Sequence, residues 1–194
     1  MGSMEYNLVM SAFFTTTGDD GTSGLLGKKR LPKDHPLFEA IGDIDEANAA
    51  LGVARASSNK QEIKEIIISI QRDLYKLMAE LVAAPENAER FCYIETTHTE
   101  WLEKQIKEIG RGLNIPSEFI IPGSTLASAH MDMARVIVRR AERRISALFH
   151  QEILNNEEIL RYMNRLSSLC FILELWEIDG SPTTQTSSNI NRKK

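Results

Sequence analysis

The segment Thr15-Thr16-Thr17-Gly18-Asp19-Asp20-Gly21-Thr22-Ser23-Gly24 combines glycines, which let backbone N–H groups converge, with hydroxyls that add further donors for phosphate oxygens. It is not a Walker A loop. Thr22 stands where that motif's first glycine would precede Gly27-Lys28, and Lys29 stands where its Ser or Thr would follow. By composition alone the segment serves equally well as a flexible N-terminal arm. A second candidate is Ala134 to Arg144, ARVIVRRAERR, in which Arg135, Arg139 and Arg143 recur every fourth residue. On a helix they share an arc of roughly 80°. Glu142 falls on the same side and can bond an arginine, fixing its planar fork for phosphate or carboxylate, whereas Arg140 and Arg144 point elsewhere. The same spacing also describes a solvated helix face with surface ion pairs, the commoner fate of an Arg-rich helix.

Polar residues at apolar positions form a third group: Asp45 and Asn48 in one helical pattern and Asn164 in another. A buried carboxylate needs a partner, and an arginine of the stripe would suit; equally, such residues are often satisfied core groups. Glu95 and His98 make one Glu-x-x-His pair, but a di-iron bundle needs a second pair and two more glutamates, and the second pair is missing. Protein metal ligands are therefore left unassigned. No Ser-His-Asp or Cys-His nucleophile pattern stands out.

The elements that must position these groups are helices. Leu37, Ile41, Ile44, Ala47, Leu51 and Ala54 recur at spacings of three and four, predicting a helix that ends near Ser57 or Ser58. Ile63, Ile67, Ile70, Leu74, Leu77 and Leu81 give the a/d seam of a second, ended by Pro85. A third is expected from Thr97, with Glu100 completing a capping box and Trp101, Leu102, Ile106 and Ile109 on its apolar side. Asn114 to Gly123 is a short extended connection around Phe119, Ile120 and Ile121. A fourth helix, capped by Ser124, runs to about Phe149, and a fifth follows Asn155 or Asn156 with Glu157 and Glu158 in its first turn. No strand-type alternation competes with these patterns. The fold class is all-α, a five-helix bundle with an N-terminal Gly/Thr-rich loop over residues 11–34, forming a single domain over residues 4–178. Residues 1–3 read as a cloning scar before Met4, and residues 179–194 as a mobile tail with almost nothing to bury.

Composition narrows the function classes. The 194 residues are 42% hydrophobic and carry 23 Lys plus Arg against 27 Asp plus Glu, which supports a packed core and argues against broad nucleic-acid or anionic-membrane binding. No run approaches the roughly 18 apolar residues of a membrane span. Cys92 and Cys170 sit beside apolar or aromatic residues and are expected to be reduced core thiols in a cytoplasmic protein.

Three blocks, TTTGDDGTSGLLGKKRLPKDHPLFEAIGDIDEANAALGVARA, FIIPGSTLASAHMDMARVIVRRAERR and RYMNRLSSLCFIL, resemble in order and spacing the PduO-type ATP:cob(I)alamin adenosyltransferases. The resemblance implies a homotrimer whose sites lie between subunits, the N-terminal loop of one chain closing over a bound nucleotide. It implies transfer of the 5′-deoxyadenosyl group of ATP, with Mg²⁺, to the cobalt of cob(I)alamin or another reduced corrinoid, releasing triphosphate. Carried over by position, Thr15, Thr16, Thr17, Gly18, Ser23, Gly24, Lys33, Arg139, Arg140, Glu142, Arg143 and Asn164 would bind ATP. Asp45 and Arg135 match a subunit-bridging ion pair beside the corrinoid, and Phe119 matches the aromatic on the lower axial side of the cobalt. Arg139, Arg143, Lys33 and Phe119 would carry the catalysis, and a reductase and an adenosylcobalamin-dependent client enzyme are the implied partners. Thr16 departs from a common basic residue, and Lys28 and Lys29 from the usual Gly-Gly or Gly-Glu. The rival classes are a nucleotide-binding module or corrinoid carrier without turnover, and a structural bundle whose Arg stripe is only an interface.

Overall fold

The computed structural model describes residues 16–115 and 120–179. Five α-helices follow a short hairpin: β1 (Thr22–Gly24), β2 (Arg30–Pro32), α1 (Pro36–Ser57), α2 (Gln61–Leu81), a 3-10 helix (Pro85–Phe91), α3 (Thr96–Gly110), α4 (Leu126–His150) and α5 (Glu157–Ile178). The bundle expected from the sequence is therefore present. The hairpin was not expected: β1 and β2 pair antiparallel with Ser23 opposite Leu31 inside the Gly-rich segment. Three-residue strands are too short to show an alternating pattern.

Helix α4 packs on α1 and on α5, α3 packs on α5, and α2 packs on α1. The seam positions Ile63, Ile67, Ile70, Leu74, Leu77 and Leu81 of α2 are all buried. In α5 twelve residues are buried, including every position from Ile172 to Leu175, so this is the central helix, buried most completely towards its C-terminal end. Tyr162 is wholly enclosed, its hydroxyl 3.5 Å from Asp73.

The ends of the helices are set by local side chains. His35 Nδ1 accepts the Leu37 N–H and Pro36 opens α1, proline's fixed φ suiting the first helical turn. Asn156 caps α5, as expected, accepting from the Glu158 N–H. Two caps differ from expectation. At α3 the capping box is Glu95 with His98, not Thr97 with Glu100: the Glu95 side chain accepts from the His98 N–H, and His98 Nδ1 accepts from the Glu95 N–H at 3.3 Å. A longer carboxylate two residues earlier takes the cap, and the Glu-x-x-His pair is thereby a helix terminus. At α4 the cap is Thr125 rather than Ser124, with Ser128 reciprocating. Between α2 and α3, Glu80 accepts from the N–H groups of Tyr93 and Ile94 and from Asn156, tying the connection to the start of α5.

Cys170 is buried, and burial pushes its thiol up to about 12. Cys92 is exposed, not a core thiol; it follows the 3-10 helix, which buries no residue, so its apolar neighbours in sequence give it no core to enter.

Candidate active site

The Gly/Thr-rich loop is a folded structure built on two side chains. Asp20 accepts from both the N–H and the hydroxyl of Thr22, at 2.9 and 2.7 Å. These bonds, with Arg30 nearby, hold its carboxyl below the usual range. Arg30 donates to the Thr22 hydroxyl at 2.8 Å and to the Thr17 carbonyl at 2.6 Å. Lys33 closes the loop: its N–H donates to the Gly21 carbonyl, and its Nζ lies 3.1 Å from where a Cβ on Gly18 would stand. An ammonium is thus held against the Gly18 backbone beside Thr16 and Thr17. Arg30 was not among the expected site residues. Its role depends on the hairpin bringing residue 30 back onto residues 17 and 22, which no sequence spacing announces.

The loop is seated on the end of α2. Leu26 donates to the Val82 carbonyl and accepts from the Ala84 N–H and from Asn87. Gly27 permits this approach, since a Cβ there would lie 2.4 Å from the Ala84 Cβ. Gly27→Ala is therefore expected to cost about 1–3 kcal/mol by overpacking, read as a lower midpoint in thermal unfolding.

The arginines of α4 divide as their spacing predicts. Arg140 pairs with Glu46 and, at 3.3 Å, with Asp43; Arg144 reaches Asp43 and Glu39. Both fasten α4 to α1. On the other side Arg139 and Arg143 are exposed, and among the described residues neither pairs with a carboxylate. Arg143 Nη1 donates to the Arg139 carbonyl at 3.0 Å, which turns the Arg143 side chain back along the helix. Glu142 bonds Asn164 at 2.8 Å rather than an arginine, and Asn164 accepts from Arg165 at 2.7 Å. Neither fork is thus taken up by a carboxylate among the described residues, and Arg143 commits only Nη1, to a backbone carbonyl.

Two expected buried groups are exposed. Asp45 and Asn164 face outward, because each stands one residue from a core position, Ile44 and Met163, and one residue turns a helix by about 100°. Asn48 is buried, with Oδ1 lacking a partner among the described residues. Within one chain Arg135 bonds Asp132 through Nε at 2.8 Å and Nη2 at 2.7 Å, and Asp45 stands apart from it on α1.

Arg135 and Arg139 line a cleft of about 300 Å³ between α3, α4 and α5, with Ser167, Ser168, Ile106, Phe171 and Ile172. Ile120 packs against a cluster that shares Ile106, Phe171 and Ile172 with this cleft. Thr15 and Phe119 lie outside the described residues, as does the tail from residue 180. Among the described residues no group of three or more His, Cys, Asp or Glu could hold a metal ion.

Beneath Arg135 lies Glu174, 2% exposed, which was missed in the sequence although it stands in the apolar run LCFILELW. An acid set inside an apolar run has buried neighbours on both sides, and that was the available signal. Burial, then the Asp132 carboxylate, push its carboxyl up to about 7, against the pull of Arg135. The folded chain thus keeps a proton that the unfolded chain releases in the ordinary carboxylate range. This contribution to stability is complete below that range and is lost as pH rises through about 7. Glu174→Gln is expected to flatten the decline, adding about 3 kcal/mol at pH 8 relative to the parent; urea unfolding at pH 5 and pH 8 checks it.

Residues 13–177 match the family model described as Cobalamin adenosyltransferase. The corrinoid adenosyltransferase PduO of Citrobacter freundii is 37% identical over 164 residues, covering 84% of this chain. The chain spans 48% of the length of that relative and of its Salmonella typhimurium counterpart. A corrinoid adenosyltransferase of Mycobacterium tuberculosis is 36% identical over 190 residues, covering 90% of this chain and 97% of the relative. Among solved structures, a variant PduO-type ATP:corrinoid adenosyltransferase from Lactobacillus reuteri, complexed with cobalamin and ATP, superposes with a TM-score of 0.82 at 29% identity, covering 90% of this chain and 96% of the other. A model match over most of the chain, a mycobacterial relative matched along nearly its whole length and the same helical bundle all agree: the chain belongs to the cobalamin adenosyltransferase family.

Proposed function

We propose that this protein transfers the 5′-deoxyadenosyl group of MgATP to the cobalt of cob(I)alamin, or another reduced corrinoid, and releases triphosphate. The observation that carries this reading is the pair Arg139 and Arg143, exposed and without a carboxylate partner among the described residues, beside a cleft in a chain of this family. Co(I) is itself a strong nucleophile, so attack on C5′ asks no general base of the protein, in keeping with a cleft lined by arginines, serines and apolar residues. The protein has to align C5′ with cobalt, stabilise charge growing on the leaving triphosphate and exclude water. Arg139, Arg143 and Lys33 suit the second task, and Mg²⁺ enters with the nucleotide. Thr15, Thr16, Thr17, Gly18, Ser23 and Gly24 would supply loop donors, while Glu142 and Asn164 would bind the rest of ATP. Arg140 contributes by fastening α4 to α1 and presents what remains of its fork.

The active assembly is a homotrimer with its sites between subunits. The loop is seated on α2 and the stripe on α4, so each needs a surface brought to it. Val136, Met133 and Leu126 on α4 and Val53 on α1 are exposed large apolar residues, suited to burial against another copy. Arg135 engages Asp132 through Nε and Nη2, leaving Nη1 for Asp45 of a neighbouring subunit. The catalytic domain spans residues 4–178 with the nucleotide loop at 11–34, in a cytoplasmic protein served by a reductase and an adenosylcobalamin-dependent client. No described helix is long and apolar enough to cross a membrane.

Phe119 would fill the lower axial side of the cobalt without offering a donor atom, which eases reduction of Co(II). It is bonded to Ile120, which packs against the buried cluster of Ile172, Leu175 and Ile178, and Ile172 also lines the Arg135–Arg139 cleft. Phe119→Ala is expected to slow adenosylation starting from Co(II) by at least about tenfold, roughly 1.4 kcal/mol, with ATP affinity unchanged. The reading as a whole is tested by mixing the pure protein anaerobically with chemically reduced cob(I)alamin and MgATP. Growth of the carbon–cobalt product spectrum supports it; tight ATP binding without product points to a binding module.

A further inference from the structure

A second cavity lies away from the arginine stripe. It is a groove of about 570 Å³ between α2 and α3, floored by the end of α5, within the size range of small-molecule sites. Its apolar walls are Trp101, Ile109, Leu113 and Trp176, and its rim carries Glu62, Glu65, Glu108 and Asp179. We propose that this groove binds an organic cation, an ammonium group on an apolar body a few carbons across or larger.

Three independent features select the sign of the charge. The four rim carboxylates face no lysine or arginine among the lining residues. The nearest pairing is loose: Lys104 lies 3.9 Å from Glu108 on the exposed flank of α3. Second, two helices end here. α3 stops at Gly110 and the lining continues with Gly112 and Leu113, while α5 stops at Ile178 beside Trp176 and Asp179. A helix C-terminus carries partial negative charge; α3 has Lys107 in its last turn, but α5 has no basic residue there. Third, the chain already places an ammonium at the groove's edge. Lys60 Nζ donates to the Trp176 carbonyl and stands 5.7 Å from the centre of the Trp176 ring, a cation–π arrangement. That contact is one cation already seated on a ring of this wall, and Trp101 offers the groove a second indole.

An anion or a neutral apolar molecule fits less well. An anion would meet four carboxylates and two helix C-termini, and a neutral molecule would leave the rim charges without a counter-ion. The groove also shares no lining residue with the Arg135–Arg139 cleft and has no arginine for a phosphate.

The chain has two tryptophans, and both line this groove, so intrinsic fluorescence excited at 295 nm reports on it directly. The full-length protein would be titrated with 4-phenylbutylamine, 4-phenylbutanol and 4-phenylbutanoate, which share one apolar body and differ in charge. The expected result is a saturable change with the amine, at least tenfold weaker binding of the alcohol, no saturation with the carboxylate, and weakening of the amine by added salt. Glu65→Gln with Glu108→Gln, both at exposed positions, should weaken the amine about tenfold and leave the alcohol unchanged. Trp176→Phe and Trp101→Phe assign the signal, with circular dichroism confirming the fold of each variant. Equal affinity for the three probes, no saturable change with the amine, or displacement of the amine by ATP would each overturn the proposal.

Discussion

Arg139→Ala is expected to lower adenosyl transfer about 100-fold while leaving the far-ultraviolet spectrum and the thermal midpoint unchanged. One charged hydrogen bond is worth about 1.5–3 kcal/mol, and a planar guanidinium can make two to a phosphate. The side chain is exposed and forms no ion pair among the described residues, so its removal leaves no buried group unsatisfied and the fold has little to lose. In the proposed reaction triphosphate charge grows in the transition state, so the loss should fall on kcat as well as on the KM for ATP. Arg139→Lys should recover only part of the activity, since an ammonium cannot reproduce the fork. Arg144→Ala is the internal control: it lies five residues on, in the same helix, but serves Glu39 and Asp43, an exposed ion pair worth under about 1 kcal/mol. Equal losses at Arg139 and Arg144 would mean that the stripe has no special role.

The second large effect is a gain. Lys33→Ala and Arg139→Ala should each be nearly inactive alone, one lacking the loop ammonium and the other the stripe. If every site takes its loop from one subunit and its stripe from the next, mixed trimers contain sites with both parts intact. Random reassembly of equal amounts around a three-fold ring gives about a quarter of the sites in that state, hence about a quarter of parental activity after joint unfolding and refolding. A site built within one chain would give no recovery. The single-chain geometry motivates the experiment: the loop is fastened to the end of α2 by Leu26 and Asn87, whereas Arg139 and Arg143 stand on α4.

What could be read from the sequence followed the range of the interaction. The α2 seam, the Asn156 cap and the split between Arg139 and Arg140 all depend on residues within a turn or two of each other, and spacing reports them. The α3 cap was misread because Glu95 and Thr97 are both competent, and only the chain's path decides between them. Asp45 and Asn164 lie one position off a core stripe, where a single residue of phase moves a side chain from core to solvent. Cys92 looked like a core thiol for want of knowing that its neighbours form an exposed turn. Arg30 on Thr17, Glu80 on Tyr93 and Ile94, and Glu174 beside Asp132 and Arg135 join residues distant in sequence, and chemistry alone does not pair them. The family blocks carried the functional reading further than periodicity could, since they hold in one pattern what separate spacings leave open.

The central claim concerns which bond of ATP breaks. ATP carrying ¹³C at C5′ would be mixed anaerobically with the protein and chemically reduced cob(I)alamin, and carbon and phosphorus magnetic resonance followed together. Adenosyl transfer predicts a cobalt-bound ¹³C signal and intact triphosphate, appearing one for one at equal rates. Labelled carbon remaining in nucleotide, with ADP or AMP as the phosphorus product, would contradict the account.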